Sequence, residues 1–482
     1  MNYKIIGRII AEILWIEAIF MFPGLVISFY YNELVAARAF GISELIILAV
    51  SGAFYWITRK AKRMLYAKEG FVCVGLAWLV MSILGCLPFY ISREIPRYID
   101  CLFEMVSGFT TTGASIVPDV EKLSKGILYW RSFSHWIGGM GVLVFLLALA
   151  PPDGNKGGFS MHLLRAESPG PSVGKIVPKM RQTAMILYVM YIVLTILDVI
   201  FLAIGGMPLF EAFCHAFGTA GTGGFGVKGD SYASYSPYLQ NVTTIFMILF
   251  GVNFTCYYLL LMKQFKSVFT DEEIRLYFGI IIGSTALIAI NIRNQYETIE
   301  ETIRHAAFQV ASIITTTGYC TTDFDRWPAF SKTIILMLMV IGACAGSTGG
   351  GLKCSRFLLL TKGLRRNIHY VLKPHQVQVV RINKRTVGEN VLANTNAYLS
   401  AYILIIMTSV LVLSLDNFSV EANLSAVLAT FNNIGPGLAE VGPTCNFAGY
   451  GVLSKLVMIL GMLLGRLEIF PILILFSPST WK

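Results

Sequence analysis

Apolar positions run through this chain in long blocks separated by short polar and glycine-rich breaks, and the block lengths alternate. Residues 9–31 and 38–57 form two runs with few charges, each close to the ~20 residues an α-helix needs to cross a bilayer. A pattern then repeats four times: a long apolar run, an amphiphilic stretch too short to span, a small-residue loop, and a second long run. The first set is 70–91, 100–109, 110–115 and 127–150; the second is 184–204, 208–217, 219–225 and 239–262. The third is 274–292, 303–314, 315–320 and 331–360; the fourth is 396–415, 422–432, 433–437 and 450–476. This predicts an all-α polytopic membrane protein of four pseudo-symmetric repeats around one pore, preceded by two extra transmembrane helices. With connecting segments included, the division is 1–69, then repeats over 70–182, 183–273, 274–394 and 395–482.

The loops share a phrase: Thr111-Thr112-Gly113, Thr222-Gly223, Thr316-Thr317-Gly318 and Asn433-Ile434-Gly435. In the first and third copies the likeness extends back through Phe103-Glu104 and Ser107, matched by Phe308-Gln309 and Ser312. Non-helical backbone is tolerated at membrane depth only where it lines a water-filled path or is buried in protein. Carbonyl oxygens turned to one side can replace the hydration shell of a cation, and glycine permits the positive φ values this requires. A single Thr-Thr-Gly reads more readily as a helix C-cap. Four copies in matching contexts read as an ion filter.

Composition agrees with a membrane protein. The 482 residues are 55% hydrophobic and 14% charged, with a mean hydropathy of +0.65, whereas a soluble chain is about a quarter charged. The net charge of +10 has no solvated basic domain to concentrate it, so nucleic acid is not a partner; membrane lipid is. Arg59, Lys60, Lys62, Arg63 and Lys68 mark the loop after the second span as cytoplasmic, and Lys362, Arg365, Arg366, Lys373, Arg381, Lys384 and Arg385 mark 361–394 likewise. Counting spans places the N-terminus, with Lys4 and Arg8, and the C-terminus on that side. The segment 151–182, rich in Pro, Gly and basic residues, reads as another cytoplasmic connection. The first apolar run shows no small-residue cleavage site, so the first helix stays. Nine cysteines make no CxxC pair and have no His partners at ligand spacing, which argues against a zinc site or a disulfide framework. Cys320 and Cys445 closely follow two filter glycines and serve as labelling handles.

A few residues within the spans bear on chemistry. His135 has no second ligand at helical spacing and reads as a packed polar residue. Asp198 is an intramembrane carboxylate, functional by default unless it faces water or a neighbouring helix near a helix end. The stretch 342–351 holds five glycines, Gly342, Gly346, Gly349, Gly350 and Gly351; each costs about 1 kcal/mol against alanine in a helix, so a loop below the filter could act as a gate, unless the glycines mark close helix packing. Arg466 lies well inside the last apolar run, facing the pore or a partner if it does not snorkel. Glu468, two residues on, points to another face, which leaves a local ion pair unassured. No His cluster, paired carboxylates or nucleophile-plus-base set supports an enzyme.

The motifs Ser107 to Ser115, Trp130 to Gly141, Arg165-Ala166-Glu167-Ser168-Pro169-Gly170-Pro171, Ser312 to Gly318, Gly346 to Lys353 and Asn432 to Pro443 resemble those of the Trk/Ktr/HKT superfamily of potassium transporters, most closely its TrkH-type membrane subunits. The resemblance runs from the first repeat to the last, and the two leading spans favour the TrkH type over the shorter Ktr type. It implies potassium uptake across the bacterial inner membrane, with potassium as the transported ion and no cofactor. Gly113, Gly223, Gly318 and Gly435 would be the filter glycines, with potassium held at Thr111, Thr112, Thr222, Gly223, Thr316, Thr317, Asn433 and Ile434. The gate would comprise Gly346, Gly349, Gly350, Gly351 and Lys353, with Arg466 as a pore-facing barrier. The family also implies a homodimer and a cytoplasmic TrkA-like subunit that binds the regulatory nucleotide, since this chain has no Gly-rich nucleotide motif following a strand. A proton- or sodium-coupled symporter is the rival; it would use inverted repeats and midplane carboxylates, whereas these repeats run in one direction.

Overall fold

The computed structural model describes residues 1–59, 66–141, 180–376 and 378–481. The basic positions Lys60, Lys62 and Arg63, the end of the first return span over 142–150, and most of the 151–182 connection lie outside the described residues. Six described helices are long and apolar enough to cross a membrane, or seven if a bent pair counts as one.

The two leading helices, Tyr3–Tyr30 and Leu34–Ile57, form a hairpin. They pack closely: the Ser51 hydroxyl donates to the Ala11 carbonyl at 2.8 Å, and Gly24 lies against the Phe40 ring. Their outer faces expose Trp15, Ile19, Phe22, Leu45 and Trp56, which suits lipid and not water.

The short amphiphilic stretches are the half-helices Tyr98–Phe109, Leu209–Gly221, Ile299–Ile314 and Val420–Phe431. Each carries an acid in its first turn (Asp100, Glu211, Glu300 with Glu301, and Glu421) and no base in its last. Thr298 and Ser419 cap two of them by accepting from Glu301 N–H at 3.1 Å and Ala422 N–H at 3.2 Å. The acids complement the positive N-terminal ends, and no base on the half-helices themselves offsets the negative C-terminal ends where they meet. The long spans Met180–Ile204, Glu272–Ile292 and Glu389–Leu413 surround this core and expose much of their apolar surface.

The return spans depart from the sequence expectation of continuous runs in three repeats as well as the one where a break was anticipated. Helix Lys125–Met140 stops at Gly141, φ 79°. The expected span 239–262 is two helices, Pro237–Phe250 and Phe254–Leu261, bent by 90°; Asn253 caps the second by accepting from Thr255 N–H at 2.9 Å. In the third repeat Ala329–Ile341 ends at Gly342, φ 73°, and the chain resumes as helix Cys354–Leu372. The expected span 450–476 is likewise broken: Val452–Arg466 ends, Glu468 and Ile469 take φ 57° and 68°, and Phe470–Phe476 starts again with Pro471 in its first turn. All four breaks lie near the half-helix C-termini. Gly138 and Gly465 face the carbonyls of Phe109 and Phe431, and Gly251 faces the Thr315 methyl. Beyond the third repeat, Arg381–Ile382 pairs with Arg385–Thr386 in a small antiparallel hairpin.

Asp198 is fully buried, facing Thr219 of the second half-helix, which excludes the water-facing alternative. Cys320 is buried and Cys445 exposed, so only the latter is an accessible handle.

Candidate ion filter and gate

Each half-helix ends in the same turn. Thr111, Thr222, Thr316 and Asn433 take left-handed backbone, at φ 55°, 55°, 60° and 56°. The next residue in each case (Thr112, Gly223, Thr317, Ile434) sends its N–H back 2.8 Å to the carbonyl of Ser107, Gly218, Ser312 or Ala429. A glycine with positive φ follows: Gly113 at 77°, Gly224 at 74°, Gly318 at 87° and Gly435 at 104°. The second repeat is therefore one residue out of the register expected from sequence. Gly223 stands where the others have Thr112, Thr317 and Ile434, and Gly224 holds the place of Gly113. Thr-Gly-Gly offers two glycines to a Thr-Gly match, and only backbone conformation distinguishes them.

The four segments close a ring. A Cβ on Gly113 would overlap the Gly223 carbonyl oxygen, one on Gly224 that of Thr317, and one on Gly318 that of Ile434; at Gly435 it would lie 2.9 Å from Thr112 O. The order of contact follows the order of the chain. Threonine hydroxyls are turned into the surrounding protein: Thr110 Oγ1 donates to Val106 O at 2.6 Å and lies 2.8 Å from Thr112 Oγ1, and Thr315 repeats this with Ala311 O at 2.6 Å and Thr317 Oγ1 at 2.7 Å. Asn433 Nδ2 donates to Thr112 Oγ1 at 2.9 Å, joining the fourth segment to the first.

Directly behind this ring lies the loop 342–353. Gly350 N–H donates to Thr316 Oγ1 at 2.7 Å, and a Cβ on Gly349 or Gly350 would lie 3.0 Å from Thr315 O or 2.5 Å from Asn432 O. The loop is stitched to the break in the second repeat through Cys344 N–H to Gly251 O at 3.1 Å and Phe254 N–H to Gly346 O at 3.0 Å. Glu273 accepts Ala345 N–H at 2.7 Å. The conformation uses Gly346 and Gly351 at φ 74° and 75°, and Lys353 at 71°.

Arg466 is the last residue of its helix and not a mid-helix charge, so the carbonyl-rich C-terminal end helps to accommodate it. Its guanidinium donates to Thr348 O at 2.8 Å, Gly138 O at 2.5 Å and Gly139 O at 2.6 Å. It thus joins the fourth repeat to the third-repeat loop and to the end of the first return helix. Glu468 has distant partners: Lys353 Nζ at 2.7 Å and Arg356, whose guanidinium also sits 4.1 Å over the Tyr398 ring. His135 is packed as expected, its Nδ1 2.8 Å from Gly108 O and its Nε2 accepting from Phe225 N–H at 3.3 Å.

A family model described as TrkH, cation transport protein, matches residues 37–482. The chain belongs to the TrkH family. It is 36% identical over 492 residues to the Trk system potassium uptake protein TrkH of Salmonella typhimurium, covering 100% of both chains, and 31% identical over 490 residues to TrkG of Escherichia coli K12, covering 100% of this chain and 99% of that one. Among solved structures, the crystal structure of the potassium transporter TrkH from Vibrio parahaemolyticus matches with a TM-score of 0.90 at 31% identity, covering 100% of both chains. As a TrkH-family chain it is a multi-pass membrane protein related to transporters.

Sequence reasoning passed over one member of this TrkH-family site. Arg131, on the first return helix, is 3% exposed and pairs with the fully buried Glu104 at 2.5 Å. An arginine in an apolar run without a nearby acid demands a partner elsewhere, and that signal was present.

Proposed function

We propose that this chain conducts potassium inward as the membrane subunit of a Trk-type uptake system in the bacterial inner membrane. The observation that carries the reading is the closed ring of glycine–carbonyl contacts where four half-helices meet with their negative ends. Such a centre favours a dehydrated cation through carbonyl coordination and aligned dipoles. The relatives named as potassium uptake proteins support potassium as that cation. Thr111, Thr112, Gly113, Thr222, Gly223, Thr316, Thr317, Gly318, Asn433, Ile434 and Gly435 form the proposed filter, with Gly224 added. The segments 70–182, 183–273, 274–394 and 395–482 are its four repeats.

Membrane potential suffices as driving force. One charge moving inward gains about 2.3 kcal/mol per 100 mV, roughly fiftyfold accumulation. The loop bearing Gly346, Gly349, Gly350, Gly351 and Lys353 is the gate, and Arg466 its latch. A TrkA-like nucleotide-binding subunit would act from the cytoplasm on a homodimer with both termini on that side. The gate's root supports this: Glu273, which holds Ala345, borders a cavity of about 1040 Å³ shared with Lys266, Arg275 and the hairpin residues Lys384 and Arg385.

The test is ion flux into liposomes containing purified protein, comparing potassium, rubidium, sodium and lithium, with Gly113→Ser alongside. Potassium and rubidium flux that loses selectivity in the variant is the expected result. Flux indifferent to that substitution, or none without a proton gradient, would return the coupled symporter.

A further inference from the structure

The four filter segments are held by different devices. Glu104, His215, Gln309 and Ala426 occupy the same place on the four half-helices, one turn before the carbonyls that anchor the filter N–H groups. Only the first is a carboxylate. Glu104 accepts Ile116 N–H at 2.9 Å, the Ser115 hydroxyl at 3.0 Å and Arg131 Nε at 2.5 Å. The remaining nitrogens of Arg131 reach both strands leaving the ring. Nη2 donates to Ser115 Oγ at 3.1 Å on the first strand, and Nη1 donates to Gly226 O at 3.1 Å on the second. The guanidinium also lies 3.7 Å over the Phe225 ring. Ser115 and Gly226 are equivalent positions, each two residues past its filter glycine, so one planar group ties the same point of two adjacent segments.

The other junctions use no guanidinium. Between the second and third segments the Tyr319 hydroxyl lies 3.1 Å from His215 O and 3.3 Å from Phe225 O. Between the fourth and first, Asn433 bonds Thr112 and Phe447 N–H donates to Ser115 O at 3.0 Å. The third and fourth meet through Gly318 and the Pro436 ring.

We propose that Arg131, oriented by Glu104, is a positioning residue that fixes the spacing of the first and second filter segments and thereby sets cation discrimination. The inference rests on the filter reading above. A carbonyl ring distinguishes cations by the number and placement of its oxygens, and a buried guanidinium holds separated acceptors with a fixed planar fork, where an ammonium offers three rotatable donors on a single nitrogen. The pair also cancels its own charge beside the cation path, so removing the acid alone leaves a positive charge there.

The experiment measures the potassium-to-sodium flux ratio in proteoliposomes for Arg131→Lys, Glu104→Gln and the double variant Glu104→Gln/Arg131→Gln, with thermal unfolding in detergent as the folding check. Lys455→Gln, which breaks the buried Lys455–Asp100 pair at the other end of the same half-helix, is the control for loss of an ion pair as such. Arg131→Lys keeps the charge and burial, and its ratio falls about tenfold, the equivalent of one hydrogen bond from a charged donor. Glu104→Gln lowers total cation flux as well as the ratio; the double variant recovers flux but not the ratio. Lys455→Gln lowers the unfolding midpoint and leaves the ratio alone. A wild-type ratio in a folded Arg131→Lys protein, or an equal fall in Lys455→Gln, would overturn the proposal. A wild-type protein without potassium preference would instead overturn the filter reading beneath it.

Discussion

Four non-glycine residues adopt left-handed backbone at the turn out of the half-helices, a conformation that costs a side chain about 1–2 kcal/mol. Asparagine tolerates it better than the β-branched threonine, so Asn433 is the least strained of the four and its departure from the threonine phrase is conformationally apt. The glycine that follows is fixed more tightly, because its missing Cβ would enter a neighbouring backbone carbonyl. Gly223 differs from Gly224 in this respect: a Cβ there would run into the His135 ring, whereas at Gly224 it would meet Thr317 O. Gly223→Ala should therefore be partly rescued by His135→Ala, and Gly224→Ala should not, with folded yield and potassium flux as the readouts. Rescue of both would contradict the one-residue register. At Arg466, substitution by Gln removes the charge from its bonds to Thr348, Gly138 and Gly139. Charge-assisted bonds contribute about 1.5–3 kcal/mol each, so under the proposed gating role loss of even one shifts the loop tenfold or more toward open. Flux through the purified protein alone should rise accordingly, and a fall would refute the proposed latch.

At the level of elements, the interrupted return spans matter most. A membrane helix that stops must satisfy its freed carbonyls inside protein, and here the breaks serve one another: the second-repeat break receives the loop, and the fourth-repeat break supplies Arg466. The loop's root is held by the Lys353–Glu468–Arg356 cluster. Replacing one member of a buried ion cluster costs about 3–5 kcal/mol, so Glu468→Gln should lower the unfolding midpoint and also raise flux. A variant equally stable and with wild-type flux would show that the cluster does not anchor the proposed gate. The sequence made the third break legible through the density of glycines in 342–351. It gave no comparable sign at Leu467-Glu468-Ile469, where two non-glycine residues are forced to positive φ by the packing around them.

For the whole molecule, the proposed topology puts the half-helix N-termini and Cys445 on the face opposite the basic helix Cys354–Leu372. Cys445 is exposed and Cys320 is not. A membrane-impermeant maleimide should therefore label Cys445 in right-side-out vesicles and not in inside-out ones, while Cys320 stays unlabelled in both; the reverse pattern would invert the proposed topology. The sequence by itself determined the class and the count of repeats, because apolar run length and the recurrent Thr/Gly phrase are local properties written into consecutive residues. It also identified Arg466 and the glycine loop as unusual, since charge and glycine density inside apolar runs are visible without coordinates. Only the tertiary structure decided which glycine of Thr222-Gly223-Gly224 faces the next segment, what Arg466 and Glu468 bind, and that Arg131 bridges two of the strands leaving the glycine–carbonyl ring. Those are contacts between residues roughly 90 or more positions apart, set by how four chain segments converge on one axis, and no local pattern encodes the partner at such a distance.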